Sequence, residues 1–263
     1  MADPTDTRAV SEVVGYILVF SLVLGTITLV YAAGLSGLDD TRDAERITNA
    51  ERAFDVLANN FQQMGRGEAP NRATEIKLAE AQLSTSTGRE VNISADGVDP
   101  AVARPVTIRY NPGTDTSIVY ENGAVIRVDN GNAVMLEEPD FLFDDGDIVV
   151  RYIEPRGSGQ SIGGTSTAVL VRAERTSSDV LVNNGSNPSD IVIKMQTHED
   201  RAGVWEEYYE EQIAAANSSW AENDRGCDRD TSVGGSDTVQ IECDSFGADK
   251  LAVSKVQIEV ELT

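Results

Sequence analysis

Lysine is nearly missing from this chain. Four of its 21 basic residues are Lys and seventeen are Arg, set against 44 Asp and Glu for a net charge of -23. With no basic stripe there is no face for phosphate, so nucleic acid is not expected as a partner. Histidine occurs once, at His198, which leaves no pair at i, i+4 to hold zinc. Followed by Glu199 and Asp200, it reads as a surface residue at a helix start. The two cysteines, Cys227 and Cys243, lack the C-x-x-C spacing of a zinc or redox site. There is no G-x-S-x-G elbow, no Walker loop, and no G-x-G-x-x-G on a strand-to-helix turn. The acidic run Asp144 to Asp147 is too short for an EF-hand loop and reads as a turn. No catalytic, cofactor-binding or metal-ligating residue stands out, and the chain is not expected to be an enzyme.

What is present begins with the acid itself. It is spread along the chain rather than gathered in a tail, which excludes a disordered acidic extension. Two readings remain: a cation-binding protein, or a surface adapted to high salt. At about 1 M salt the Debye length falls to ~3 Å, so like charges repel little. The shortage of lysine favours the salt reading.

From Val13 to Ala33 there are 21 uncharged residues. At about 1.5 Å per residue they match the roughly 30 Å hydrocarbon core of a bilayer. A removable secretory signal has a shorter apolar region, and a buried core helix carries a polar face, which this run lacks. The expectation is a membrane span, with lipid as its first partner. Arg8 before the span and Asp39 and Asp40 after it favour a cytoplasmic N-terminus and an extracellular remainder. In that compartment Cys227 and Cys243 would form one disulfide, worth about 3 kcal/mol for a loop of this size. Facing the cytosol, they would be free thiols. Asn92, Asn184 and Asn217 head N-x-[ST] sequons, the acceptor pattern for N-glycosylation.

Beyond the span, Leu35, Leu38, Ala44, Ile47, Ala50, Phe54, Leu57, Phe61 and Met64 fall at mostly three- and four-residue steps. That spacing continues the helix as an amphipathic one, with its stripe packed on the chain's own folded domain. Gly65-Arg-Gly67 and Pro70 end it. After Pro70 the period changes to two. Strands are expected at 74–83, 90–95, 102–110, 116–120, 124–129 and 133–136. Further strands are expected at 147–153, 166–174, 180–182, 190–196, 238–242 and 251–262. Asn122-Gly123 and Asn130-Gly131 supply type I′ hairpin turns. The stretch from Pro155 to Thr167 reads as a flexible loop. "HEDRAGVWEEYYEEQIAAANSSW" reads as one inserted helix with Trp205, Tyr209, Ile213 and Ala216 on one face. The fold class is α+β: a long N-terminal helix, membrane-spanning then amphipathic, on a mostly antiparallel β-rich domain.

The segment "MADPTDTRAVSEVVG" is polar up to Arg8-Ala9 and then enters the apolar helix. It resembles the class III, prepilin-type leader of archaeal pilins and archaellins. Haloarchaeal members read Arg-Gly-Val-Ser-Pro-Val-Ile-Gly across the cut. Arg8, Val10, Ser11, Val13 and Gly15 follow that pattern and Val14 stands for Ile. Ala9 is a small residue in place of Gly, and Glu12 replaces Pro. The resemblance implies a leader of residues 1–9, cut by a prepilin peptidase between Ala9 and Val10. It implies a helical spine at 10–65 with its span at 13–33, an extracellular domain at 70–263, and other pilin-like subunits as partners. By analogy with bacterial type IV pilins, Glu12 would pair with the freed amine of Val10 in an adjacent subunit; the alternative is a Glu solvated at the headgroup level, with no pairing role. "NAERAFDVLA", "ATEIKL", "VYENGAVIRV" and the late paired cysteines are similar to haloarchaeal pilin-like surface proteins of unassigned function. The expected role is a minor structural subunit of a type IV pilus-like assembly. The alternative is a membrane-anchored binding or adhesion domain that does not polymerise.

Overall fold

The structure, a computed structural model, describes residues 6–157, 159–184, 187–217, 220, 226–233, 235 and 237–263. For residues 6–12, 33–40 and 184 only the backbone is described. Helix α1 runs over Asp6–Gly65. It ends where Gly67 takes φ +82° and donates its N–H to the carbonyl of Met64, a glycine-terminated helix end.

Strands then follow as β1 (Asn71–Leu78), β2 (Ala81–Thr85), β3 (Val91–Ala95) and β4 (Val98–Ala103). Next come β5 (Ile108–Asn111), β6 (Thr116–Glu121), β7 (Ala124–Asp129) and β8 (Asn132–Glu137). After these are β9 (Leu142–Asp144), β10 (Asp147–Arg156), β11 (Ser161–Gly164), β12 (Thr167–Asn184) and β13 (Ile191–His198). A 3-10 turn at Glu199–Arg201 leads into α2 (Ala202–Ala216). The last strands are β14 (Asp228–Asp230), β15 (Thr238–Phe246) and β16 (Lys250–Leu262).

They form three sheets, ordered β1-β12-β16-β10-β9, β11-β2-β5-β6-β7-β8 and β14-β15-β13-β3-β4. One described pair, β10 with β16, is parallel; the others are antiparallel. The fold is α+β, as the change of hydrophobic period from helical to two-residue requires.

Two compact units divide within α1, at Met1–Thr48 and Asn49–Thr263. The described part of the first is helix alone. In the second, Phe54, Leu57, Phe61 and Met64 are fully buried on one helix face. The Phe61 ring meets Tyr120 of β6 edge-on at 5.0 Å. Asn60 Nδ2 donates to Thr74 Oγ1 of β1, and Arg127 of β7 donates to Glu51 at 3.0 Å. The last turns of α1 therefore close a core over the first and second sheets. A separate core gathers α2, through Trp205, Tyr209 and Ile213, with β3, β7, β13 and β15.

Strand β16 serves both cores. Leu251 and Val253 belong to the α2 core, whereas Val256, Ile258 and Val260 are buried three residues on and outside it. Three residues along a strand is an odd step, so the buried side changes face. Strand β10 changes with it, burying Ile148, Val150 and Tyr152 and then Ile153. Their mutual register does not slip. Strand β12 accommodates the change with register shifts at Arg175/Ser177 and Val180/Val182.

Several expected strands need correction. The segment 74–83 is two strands in different sheets, broken at Ala79-Glu80, where Glu80 has φ +56°. The segment 102–110 is likewise two, because Pro105 lacks an N–H and restricts Arg104 before it. The segments 166–174 and 180–182 are one strand, β12. The loop expected from Pro155 is shorter. Strand β10 continues to Arg156 beside β16, and Ser161–Gly164 pairs with β2. Strands β9 and β14, three residues each, are too short to leave a period.

Candidate functional site

The most exposed apolar surface lies on α1. Val13–Ala32 is a 20-residue apolar stretch, none of it buried, long enough to cross a membrane. Both of its threonine hydroxyls bond back into the helix, as suits a hydrocarbon environment. Thr26 Oγ1 donates to the carbonyl of Val23 at 2.9 Å and Thr28 Oγ1 to that of Leu24 at 2.8 Å. Gly15 and Gly25 leave open notches in this surface, since nothing lies within 4 Å of a Cβ added at either. Such a surface needs lipid or protein around it. The segment fits a single-pass membrane anchor. Arg8, Ala9, Val10 and Glu12 lie in the helical backbone of α1, but their side chains are outside the described residues.

Cys227 and Cys243 are joined by a disulfide that ties the segment ahead of β14 to β15. Both sulfurs sit in the α2 core, and Glu210 of α2 accepts the Cys227 N–H at 2.9 Å. The sequons differ in setting. Asn92 is half-buried in β3, between β4 and β13. Asn217 donates its amide to the carbonyl of Gly247 at 3.1 Å. Asn184 is the last residue of β12, with only its backbone described.

His198 caps the 3-10 turn, its Nδ1 2.8 Å from Asp200 Oδ1. Asp144 to Asp147 make the β9–β10 hairpin turn, with Asp145 and Gly146 at φ +42° and +84°. Lys250 Nζ holds Asp147 at 3.0 Å. Among the described residues, no three His, Cys, Asp or Glu side chains are grouped to hold a metal.

Sequence reasoning missed the most buried polar cluster. Glu121, at the end of β6, accepts hydrogen bonds from Arg201 Nε (3.0 Å), Arg201 Nη2 (3.2 Å), Thr197 Oγ1 (2.7 Å) and Trp205 Nε1 (2.9 Å). Glu121 and Arg201 are each 2 % exposed. Burial pushes the Glu121 carboxyl up. The Arg201 charge and the hydrogen bonds outweigh burial and hold it below the usual carboxylate range. Arg201 is lowered by burial and raised more by Glu121, ending above its ordinary value. The partners lie 80 positions apart, and no local pattern couples them. All donors are aimed at a carboxylate of the chain itself, an arrangement that locks α2 onto the β6–β7 turn. That turn is tight: a Cβ on Gly123, at φ +93°, would meet Pro139 Cβ at 3.0 Å.

The comparison with known families covers both helix and sheets, matching residues 8–261. The chain belongs to DUF7289, a family of unknown function. No curated protein and no solved structure matches it. As a DUF7289 protein it offers three built features: an apolar helix surface, a disulfide and a buried charge cluster. Two of them stabilise the body. The helix surface is unburied among the described residues, and is the candidate functional element.

Proposed function

We propose that this chain is a pilin-like cell-surface subunit, a minor structural component of an archaeal type IV pilus-like assembly. The carrying observation is Val13–Ala32, unburied over its whole length, standing directly after the leader-like Arg8-Ala9. In this reading the N-terminus is cytoplasmic and the β-rich body is extracellular. Prepilin peptidase cuts before Val10, and the span later exchanges lipid for the helices of other subunits. The disulfide is in keeping with an oxidising exterior, and the acid-rich composition with a saline one. Asn92, Asn184 and Asn217 are the candidate glycan acceptors, with Asn184 the one at a strand end. The role is structural, with no reaction assigned to any residue.

The mature N-terminus tests the leader. Mass spectrometry of membrane fractions is expected to find chains beginning at Val10, with Arg8→Ser slowing their appearance. Chains that keep residues 1–9 would overturn the leader assignment.

Assembly is tested separately by shearing cells and assaying the released high-molecular-weight fraction. Once the span leaves lipid, an unpaired Glu12 in an apolar bundle would cost several kcal/mol. Glu12→Gln is therefore expected to abolish release while membrane insertion and cleavage persist. Equal release of wild type and Glu12→Gln would remove the charge-pair mechanism. Wild type that never appears in sheared material would make this chain an anchored binding or adhesion domain instead.

A further inference from the structure

The three sheets have six edges, and five are guarded against pairing with another chain. Strands β9 and β14 are three residues long. Strand β11 carries Gly163 and Gly164, β4 contains Pro100, and β1 exposes Arg72, Glu75 and Lys77. Short strands, proline and charge are the devices that blunt sheet edges.

The sixth edge has no proline and no charge before its last residue, Glu137, next to which a register shift interrupts its pairing with β7. Strand β8 reads Asn-Ala-Val-Met-Leu-Glu, with polar residues only at its ends. It pairs with β7 on one side. Among the described residues, Ala133 to Leu136 make no other backbone hydrogen bond. Its side chains offer apolar surface on both faces of the sheet. Val134 is 59 % exposed and Leu136 39 % exposed on one face. Ala133, Val134 and Met135 line a groove of ≈ 240 Å³ with Val204 and Tyr208 of α2. Acid alone rims that groove, as Glu138, Glu207 and Glu211. None of the three has an ion-pair partner among the described residues.

We infer that β8 is an acceptor edge for strand addition, taking an extended segment of another polypeptide that alternates apolar residues with Lys or Arg. The open N–H and C=O row supplies the affinity, and alternate side chains supply the selection. One set of the incoming side chains covers Val134 and Leu136. The other set enters the groove, where basic ends meet Glu138, Glu207 and Glu211. At about 0.1 M salt, where charge is less screened, it disfavours a second copy of this chain as occupant. Pairing β8 with itself would bring together two acidic rims on molecules of net charge -23.

The test uses the full chain in detergent micelles at about 0.1 M salt, where charge discriminates between ligands. The probe is a fluorescent synthetic peptide of about seven alternating Val and Lys residues, a typical strand length. Saturable binding is expected, with slowed hydrogen exchange at the amides of Ala133 to Glu137. The matching Val–Glu peptide should bind at least about tenfold more weakly. The double variant Val134→Lys, Leu136→Lys should lose binding to a similar degree. Both substitutions lie on solvent-facing side chains, and far-UV circular dichroism checks that the sheet is kept. The comparison of the two peptides on wild type needs no variant at all. Absence of binding, equal binding of the two peptides, or full binding by the double variant would overturn the inference. So would self-association of wild type that the double variant abolishes, which would give the edge to a second copy.

Discussion

Glu121→Gln is expected to destabilise the body by about 3 kcal/mol, within the 3–5 kcal/mol range for breaking a buried ion pair from one side. The loss comes less from the missing attraction than from what is left behind. Arg201 is 2 % exposed and cannot recover water. An amide also offers one acceptor oxygen where four donor contacts now converge. The lower end of the range applies because Asp200 still holds Arg201 Nη1 at 3.0 Å. Urea denaturation of the two forms at neutral pH measures the difference. A change under about 0.5 kcal/mol, as expected for surface substitutions, would mean that the cluster does not hold α2 in place.

The same pair sets a dependence on acidity. The folded pKa of Glu121 lies below its unfolded value. Its contribution is therefore fully present above the unfolded carboxylate pKa, about 4.3, and is lost as pH falls through the lower folded value. Wild type should lose more stability than Glu121→Gln between neutral pH and pH about 3, so the gap between them narrows on acidification.

Phe61→Ala is expected to cost about 3–5 kcal/mol, the range for deleting a fully buried aromatic side chain. Phe61 is 0 % exposed and edge-on to Tyr120, so the deletion removes both burial and a ring contact. The loss should be local at first. Backbone amides of residues 50–64 should exchange faster than those of β13 and β15, which belong to the other core. Val56, on the same helix and 50 % exposed, provides the control. Its replacement by Ala should change stability by no more than about 0.5 kcal/mol. Equal costs at Phe61 and Val56 would mean that the helix end rests on the sheets without being part of their core.

The sequence reveals local features of this fold much better than distant ones. Asn122-Gly123 and Asn130-Gly131 are legible because a two-residue turn needs left-handed backbone. The structure puts them at φ +46° and +93°, and at +50° and +78°. Trp205, Tyr209 and Ile213 mark the buried face of α2 because helical spacing repeats within one element. The alternation that reveals a strand carries no information about which sheet it joins. For that reason 74–83 reads as one strand although its halves pair with β12 and β5. The Glu121–Arg201 pair leaves no trace because β6 and the 3-10 turn meet only through tertiary folding. Glu121 reads as one more acid in a chain of 44.

The double service of β16 has a consequence in time. Its parallel partner β10 is distant in the chain, with Asp147 and Lys250 103 positions apart, and its antiparallel partner β12 lies between them. Neither core can close before β16 arrives, because Leu251 and Val253 complete one while Val256, Ile258 and Val260 complete the other. Distant pairings of this kind form late and slowly. The body thus cannot be finished piecemeal from its N-terminal end. Until β16 is in place, the residues that it covers in both cores stay open to water and to chaperones.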